Sequence, residues 1–238
     1  MLGQGLFGDV NIEARKGEPY GTIRGNKFLR DSAGNILTSG GLPIQDPAFS
    51  VLGNIQPDWT GGWSNEIRYK SLALSMQIDV RHGGKIVSLT NYLGDYAGTL
   101  ASSLRGRETD WNSPGIVVKG IDADTCALPG GCKPNTTTVT AETYYQNLFH
   151  IIEPYIYDGG YVKLRELRVS YDLPANWAAW FFGAQAATFS VTGRNLITWK
   201  NVPNIDPEFA YSNGNFQGME YMIPSNPRSI GFNLRIVP

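Results

Sequence analysis

The strictest pattern in the sequence is an alternation of apolar and other residues between positions 72 and 81. The apolar positions are Leu72, Leu74, Met76, Ile78 and Val80, and the residues between them are small, polar or charged. Successive side chains of a β-strand point to opposite faces, so this alternation predicts one apolar and one polar face. About 9–11 residues is also the length of a tilted strand that crosses a bilayer.

The residues just before this strand predict its hairpin partner. Trp63, Ile67 and Tyr69 alternate with polar or charged residues. A two-residue loop at 70–71 pairs Tyr69 with Leu72 and brings the two apolar faces together, because paired residues point the same way. A slightly longer turn is the alternative, since Lys-Ser is not a favoured loop pair.

Three further stretches alternate with the same period. They are 166–173, 187–192 and 229–236. Pro174 marks a strand end because proline cannot donate to a ladder, and residues 176–182 have room for one helical turn before the next strand. The sequence therefore predicts an all-β, antiparallel fold.

The connections between these strands alternate in length. Those at 70–71 and 174–186 are short, whereas those at about 83–160 and 200–226 are long. In an antiparallel meander this places both long loops at one end, as in outer-membrane barrels with short periplasmic turns and long external loops. Aromatic residues lie near the strand ends, where barrels carry aromatic girdles, although hairpin or core packing is an equal alternative. They are Trp63, Tyr69, Tyr171, Trp177, Trp180, Phe181, Phe182 and Trp199.

Charge and hydropathy exclude other classes of protein. Twenty basic and 21 acidic residues give a formal net charge of −1, which indicates no electrostatic attraction to nucleic acid. No apolar run reaches the roughly 20 residues that a membrane-spanning helix needs. The first residues do not resemble a secretory signal, so the protein is either cytosolic or the chain begins inside a longer one.

Cys126 and Cys132 flank a Pro-Gly-Gly turn inside the first long connection. Two cysteines so close together favour a small loop closed by a disulfide in an oxidising compartment. Free thiols or half of a zinc site are the alternatives. Zinc needs two further ligands, for which only His82 and His150 are available, so we expect no metal.

Catalytic patterns are weak throughout the sequence. Neither His82 nor His150 lies near a nucleophile motif of the Gly-x-Ser-x-Gly kind. Asp122 and Asp124 lack the third acidic ligand and the glycine of a calcium loop. We therefore expect no catalytic residues, no cofactor and no enzyme activity.

Five stretches, in order along the chain, resemble the late barrel segment of SusC/RagA-type TonB-linked outer-membrane receptors. Together they extend the resemblance over most of the chain, from about Gly17 to Leu234. The stretches are 53–59 with 78–85 (GNIQPDW, IDVRHGGK), 161–167 (YVKLREL), 171–174 (YDLP), 193–199 with 206–208 (GRNLITW, DPE) and 227–232 (PRSIGF).

The resemblance implies a transmembrane β-barrel of about 22 strands with a plugged lumen. Such receptors import a large nutrient, typically glycan or peptide, with energy relayed by TonB, and they work with a SusD-like surface lipoprotein. The chain has too few strands for that barrel and shows no plug or TonB box. We therefore expect residues 1–238 to be the C-terminal part of a longer receptor in the bacterial outer membrane, with TonB engaged through regions outside this sequence.

Aromatic residues in the long connections are candidates for substrate binding. Rings with neighbouring amide and acidic side chains suit stacking against sugars or peptide side chains. The alternative is that they pack the loops against one another and against the lipoprotein. The candidates are Trp111, Tyr144, Tyr145, Tyr155, Tyr157, Tyr211 and Phe216.

Two rival hypotheses remain open at this point. The first is a soluble or surface glycan-binding β-domain without transport activity, which would bury the apolar face around Ile78 in protein. The second is a secreted hydrolase, for which no pair of carboxylates has a diagnostic spacing.

Overall fold

The computed structural model describes residues 2–4, 6–209, 214 and 216–238. The candidate ligand-binding residue Tyr211 and the side chains of Phe181 and Phe182 lie outside this description. No helix among the described residues combines the length and apolarity needed to span a bilayer.

The chain folds into two compact units. The first, which we call the loop unit, comprises Met1–Gln56, Gly84–Asp158 and Val202–Ile223. The second, which we call the sheet unit, comprises Pro57–Gly83, Gly159–Asn201 and Pro224–Pro238.

The structure is mostly β-strand with three short α-helices among the described residues. The strands are β1 (Gly3–Gln4), β2 (Val10–Glu13), β3 (Thr22–Gly25), β4 (Leu37–Ser39), β5 (Leu42–Pro43), β6 (Ser50–Asn54), β7 (Trp59–Tyr69), β8 (Leu72–His82), β9 (Lys85–Ser88), β10 (Ile121–Asp122), β11 (Lys133–Pro134), β12 (Ile156–Asp158), β13 (Tyr161–Asp172), β14 (Ala186–Lys200), β15 (Met219–Glu220) and β16 (Ser229–Val237). The helices are α1 (Leu89–Tyr96), α2 (Ala141–Asn147) and α3 (Ala175–Phe182).

The sheet unit is one antiparallel sheet in the order β16-β14-β13-β8-β7. Tyr69 pairs with Leu72 across the loop at 70–71, which confirms the predicted two-residue hairpin. The strands predicted at 166–173, 187–192 and 229–236 are also confirmed as parts of β13, β14 and β16. The short connections lie at one end of this sheet, because neighbouring strands are antiparallel.

The register aligns the apolar positions of all five strands in rows. The row next to the short connections is Tyr69, Leu72, Tyr171, Phe189 and Leu234. The following row is Ile67, Leu74, Val169, Val191 and Phe232. The pairing of β13 with β8 shifts between Leu164 and Glu166, because Arg165 is an extra residue that forms a β-bulge. The bulge keeps the apolar residues of β13 on the same face before and after it. The alternation seen in single strands therefore becomes one continuous apolar face.

The loop unit contains three smaller sheets, in the orders β1-β2-β3-β6, β11-β10-β4-β5 and β12-β9-β15. Its core includes Ile12 and Ile23 from the first sheet, Val87 from the third, and Tyr92 and Tyr145 from helices α1 and α2. The connections 83–160 and 200–226 are therefore folded structure, packed together with residues that precede the first long strand.

A buried carboxylate fixes the start of α1. Ser88 is the N-cap residue, and its hydroxyl accepts a hydrogen bond from the Asn91 backbone. Glu220, fully buried, accepts hydrogen bonds from the Ser88 hydroxyl at 3.0 Å and the Thr90 backbone at 3.3 Å. A negative charge at this position complements the helix dipole, so Glu220 ties β15 to α1.

Candidate functional site

The apolar face of the sheet unit is exposed. Ile67, Ile230 and Phe232 are 62%, 68% and 72% accessible. Water-soluble proteins rarely expose a contiguous apolar surface that extends across five strands, so a surface of this kind marks a binding interface. The predicted apolar face is confirmed, but the burial in protein that a soluble sheet requires is not seen among the described residues.

The opposite face of the same sheet carries paired charges. The Arg165 guanidinium donates to Asp79 at 2.6 Å, and that of Arg194 donates to Glu166 at 2.9 Å. Lys163 on this face is 3% exposed, and its ammonium nitrogen lies 5.0 Å from the centroid of the Tyr161 ring. Lys163 on the polar face is thus more deeply buried than Ile67 or Phe232 on the apolar face, which is the reverse of the usual arrangement in a water-soluble protein.

Hydroxyl and carboxylate groups continue this polar face toward the short connections. The Ser190 hydroxyl donates to Ser170 at 2.9 Å, and the Thr188 hydroxyl donates to Asp172 at 2.7 Å. These residues line a cavity of about 200 Å³, together with Arg168. A surface with both charge signs and several hydroxyls suits contact with water, polar solutes or polar protein segments.

In the loop unit, a buried hydrogen-bond network joins three distant segments. The Tyr92 hydroxyl donates to the Asp9 carboxylate at 2.9 Å and accepts from the His150 backbone N–H at 2.9 Å. The His150 ring Nδ1 lies 3.1 Å from Asp9. His150 has a φ of 81°, a strained conformation that these contacts hold in place. Burial raises the pKa of the Tyr92 hydroxyl, so the group stays protonated and can serve as a donor.

Asp95 is a second buried acid, after Asp9, and it lies about one helical turn after Tyr92 on α1. Asp95 is 8% exposed and accepts a hydrogen bond from the Ser102 hydroxyl. Burial raises the pKa of Asp95, and hydrogen bonds from Ser102 and Tyr155 oppose that effect. The Tyr145 hydroxyl donates to the Ser102 carbonyl at 2.6 Å. These contacts tie α1 and α2 together.

The structure separates the candidate ligand-binding aromatics by exposure. Tyr145 and Tyr155 are 5% and 2% exposed and belong to the core, which corresponds to the packing role that the sequence left open as the alternative to substrate binding. Tyr144 and Tyr157 are partly buried against the same core. Burial raises the pKa of Tyr145 and of Tyr157 to about 12. The rings of these four tyrosines pack against core residues that are distant from them in sequence.

Trp111 and Phe216 remain accessible to a ligand. Their exposed fractions are 66% and 37%. A binding role for these two residues stays a prediction.

The structure contains an aromatic cluster around Phe149 that the sequence did not predict. Its ring centroid lies 5.1 Å from that of Phe7 and 4.8 Å from that of Tyr96. Phe7 and Tyr96 are both about half exposed. No local pattern could have revealed this cluster, because its members come from three separate segments.

Cys126 and Cys132 form a disulfide in the structure. Asp124, next to this loop, accepts hydrogen bonds from the Ser39 hydroxyl at 2.9 Å and the Gly40 backbone at 3.0 Å. Its carboxylate therefore anchors the loop to β4. Within the described residues, no group of three or more histidine, cysteine or acidic side chains is arranged to hold a metal ion.

Comparison with known proteins supports the resemblance found in the sequence. No known family profile matches the chain. The chain is 27% identical to TonB-dependent receptor P3 of Formosa agariphila and 26% identical to TonB-dependent receptor P26 of that organism, in each case over 78% of this chain. The chain is similar to SusC/RagA-like TonB-dependent receptors. It spans 17% of the length of each of these two relatives.

Solved structures show the same fold. The RagAB peptide transporter matches with a TM-score of 0.56 and 16% identity, over 97% of this chain and 25% of that chain. The closed-closed state of the RagAB peptide importer matches with a TM-score of 0.52 and 16% identity, over 90% of this chain and 21% of that chain. These receptor-like relatives are named as receptors and transporters and not as enzymes.

Proposed function

We propose that this chain supplies the last strands of a transmembrane β-barrel, together with its external loops, in an outer-membrane TonB-dependent importer. The observation that carries the proposal is the exposed apolar face of the five-stranded sheet. Lipid is the environment that such a face requires, because transmembrane barrels point apolar residues outward and polar residues into the lumen.

The polar face fits the second half of this arrangement. Its ion pairs, such as Arg165 with Asp79 and Arg194 with Glu166, are suited to a polar lumen. Hydrogen-bond pairing in the sheet also supports the proposal. Among the described residues, β7 and β16 each pair with one neighbour only, over 11 and nine residues. Such long edges require further strands, because unpaired edges promote aggregation.

The loop unit supports a role in capture on the external side. In this proposal it meets a SusD-like surface lipoprotein and the imported glycan or peptide. The exposed rings of Trp111 and Phe216 offer stacking surfaces, whereas the buried Tyr145 and Tyr155 stabilise the unit that presents them. TonB supplies energy through receptor regions outside this sequence, and the chain itself performs no catalysis.

A paired substitution tests the membrane proposal. Ile78 lies on the apolar face, paired with Trp63, and the adjacent Gln77 lies on the polar face, paired with Ser64. We expect Ile78→Arg to weaken co-flotation of the full chain with phosphatidylcholine vesicles by about 2–4 kcal/mol, or roughly 30- to 800-fold. Gln77→Arg adds the same charge to the polar face and should change flotation little.

A soluble glycan-binding domain predicts the opposite result. The wild-type chain would then remain folded and monomeric without detergent or lipid, and would not float with vesicles. That outcome would overturn the membrane proposal, whatever the effect of either arginine.

A further inference from the structure

The cavity on the polar face of the sheet unit has a volume of about 200 Å³. Small residues of the three central strands line it, such as Ala73 of β8 and Ser190 of β14, which are 8% and 1% exposed. Longer, charged side chains from neighbouring positions complete the lining. Drug-sized ligands occupy pockets of about 300–1,000 Å³, so this cavity suits a smaller molecule.

The composition of the lining favours a charged ligand over a sugar. Among the eleven described lining residues, six are ionisable, four others carry a hydroxyl group and none has an aromatic ring. The lining therefore lacks the stacking surface that a sugar ring would use. Three of the ionisable residues are basic and three are acidic, and a ligand that carries both charges complements this balance. They are Glu66, Arg68, Glu166, Arg168, Asp172 and Arg235.

Two of the three acids already have basic partners within the protein. The Arg68 guanidinium lies 3.5 Å from the Asp172 carboxylate, and that of Arg194 donates to Glu166 at 2.9 Å. Asp172 also accepts a hydrogen bond from the Thr188 hydroxyl at 2.7 Å. These groups therefore need no ligand to balance their charge.

The acid Glu66 and the bases Arg168 and Arg235 are not matched in this way. Within the part of the chain that the structure describes, Glu66 and Arg235 form no hydrogen bond or ion pair, and Arg168 donates to the Ser190 hydroxyl at 3.3 Å. Glu66 and Arg168 belong to one row, on either side of Ser75 in the strand between them. Neighbouring strands lie about 4.8 Å apart, so roughly 10 Å separates the two backbones. A carboxylate and a guanidinium thus flank Ser75 without forming an ion pair.

We propose that this cavity binds small solutes that carry both a free α-ammonium and a free carboxylate group, namely amino acids and dipeptides. The ammonium group pairs with Glu66, and the carboxylate accepts hydrogen bonds from Arg168 and Ser75. Hydrogen bonds between ionised groups are the strongest of their kind, so both ends of the solute are recognised. The inference rests on the proposed function, because an imported solute reaches the cavity only if the polar face lines the lumen.

Binding of glycylglycine to the full chain in detergent micelles tests the proposal, with saturation-transfer NMR as the readout. We expect saturation transfer to glycylglycine and none to N-acetylglycylglycinamide, which lacks both terminal charges. Glu66→Gln and Arg168→Gln should each raise the dissociation constant about threefold to fivefold, the effect of losing one exposed ion pair. Asp79→Asn and Arg165→Gln are matched controls, because they remove the charges of an ion pair outside the described lining and should leave binding unchanged.

Equal binding of the capped dipeptide, or dissociation constants that neither Glu66→Gln nor Arg168→Gln changes, would overturn the proposal. Binding of acetyl-Lys-Glu-amide as tight as that of glycylglycine would also overturn it, and would indicate a charged protein segment as the occupant.

Vesicle flotation separates failure of this site from failure of the proposed function. A chain that floats with vesicles but does not bind glycylglycine refutes the solute site alone. A chain that binds glycylglycine but stays folded and monomeric without lipid refutes the membrane proposal, and the binding chemistry of the cavity stands. Circular dichroism of each variant verifies that the sheet is retained.

Discussion

The Tyr92 hydroxyl offers a precise test of how the loop unit is held together. Tyr92→Phe keeps the ring, which is 1% exposed, and removes two hydrogen bonds of 2.9 Å, one to Asp9 and one from the His150 backbone. Asp9 is itself 5% exposed, so its carboxylate loses a donor that water cannot readily replace. The His150 N–H also loses its acceptor.

The expected cost follows from the kind of groups left unpaired. A hydrogen bond to a charged group contributes about 1.5–3 kcal/mol, and an orphaned buried donor or acceptor costs a similar amount. Asp9 keeps its contact with the His150 ring, which limits the loss. We therefore expect local opening of the loop unit to become about 1.5–3 kcal/mol easier, or roughly 10- to 150-fold more frequent.

Hydrogen exchange read by mass spectrometry measures this change directly, because exchange of protected amides reports local opening. Peptides that contain residues 92 and 150 should lose protection, whereas peptides from β13 and β14 should not. Tyr157→Phe is the matched control, because the Tyr157 hydroxyl has no hydrogen-bond partner among the described residues. Equal exchange in Tyr92→Phe and wild type would refute the network as a source of stability.

Two further predictions concern the same unit. Burial raises the pKa of Asp95 above its ordinary value of 3.8, so the folded unit binds the proton more tightly than the unfolded chain does. This contribution to stability is full at low pH and is lost as the pH rises through the raised pKa. Asp95→Asn should therefore make the free energy of unfolding, measured in urea, depend less on pH. An unchanged dependence of the unfolding free energy on pH would contradict this prediction. The disulfide predicts an intact native mass lower by two hydrogen atoms than the reduced mass. Replacing Cys126 and Cys132 by serine should destabilise their loop by about 2 kcal/mol, measured by exchange of its amides, and full reactivity of native cysteines toward a thiol reagent would refute the bond.

The sheet unit could be predicted from sequence because its information is local. Each strand alternates with period two, and the pairing of Tyr69 with Leu72 in a short hairpin fixes which faces coincide. The bulge at Arg165 was not predictable, since it depends on the pairing of β13 with both neighbours. The sequence also left the helical segment at 176–182 as one turn, whereas α3 begins at Ala175 and contains eight residues.

The loop unit resisted prediction because its core is assembled from separated segments. Ile12 and Ile23 pack in one cluster with Tyr92, Tyr145 and Met219, which lie far apart in sequence. No periodicity records such contacts, and an aromatic residue in a long connection has the same local signature whether it is buried or exposed. Exposure of these rings could therefore not be deduced from their neighbours.

This difference also decides which candidate residues deserve experiments on binding. A ligand can stack only on a ring that it can reach, so Tyr155 can affect binding only through the shape of the unit, whereas Trp111 can contact a ligand directly. The same reasoning applies with opposite consequences on the sheet. There, Ile67 and Phe232 belong to an exposed apolar face that continues row after row. An exposed face of this extent suits an extended apolar partner, such as the proposed membrane, instead of a small ligand. Exposure thus has to be interpreted with its pattern: an isolated exposed ring suits a solute, and a periodic exposed face suits a membrane.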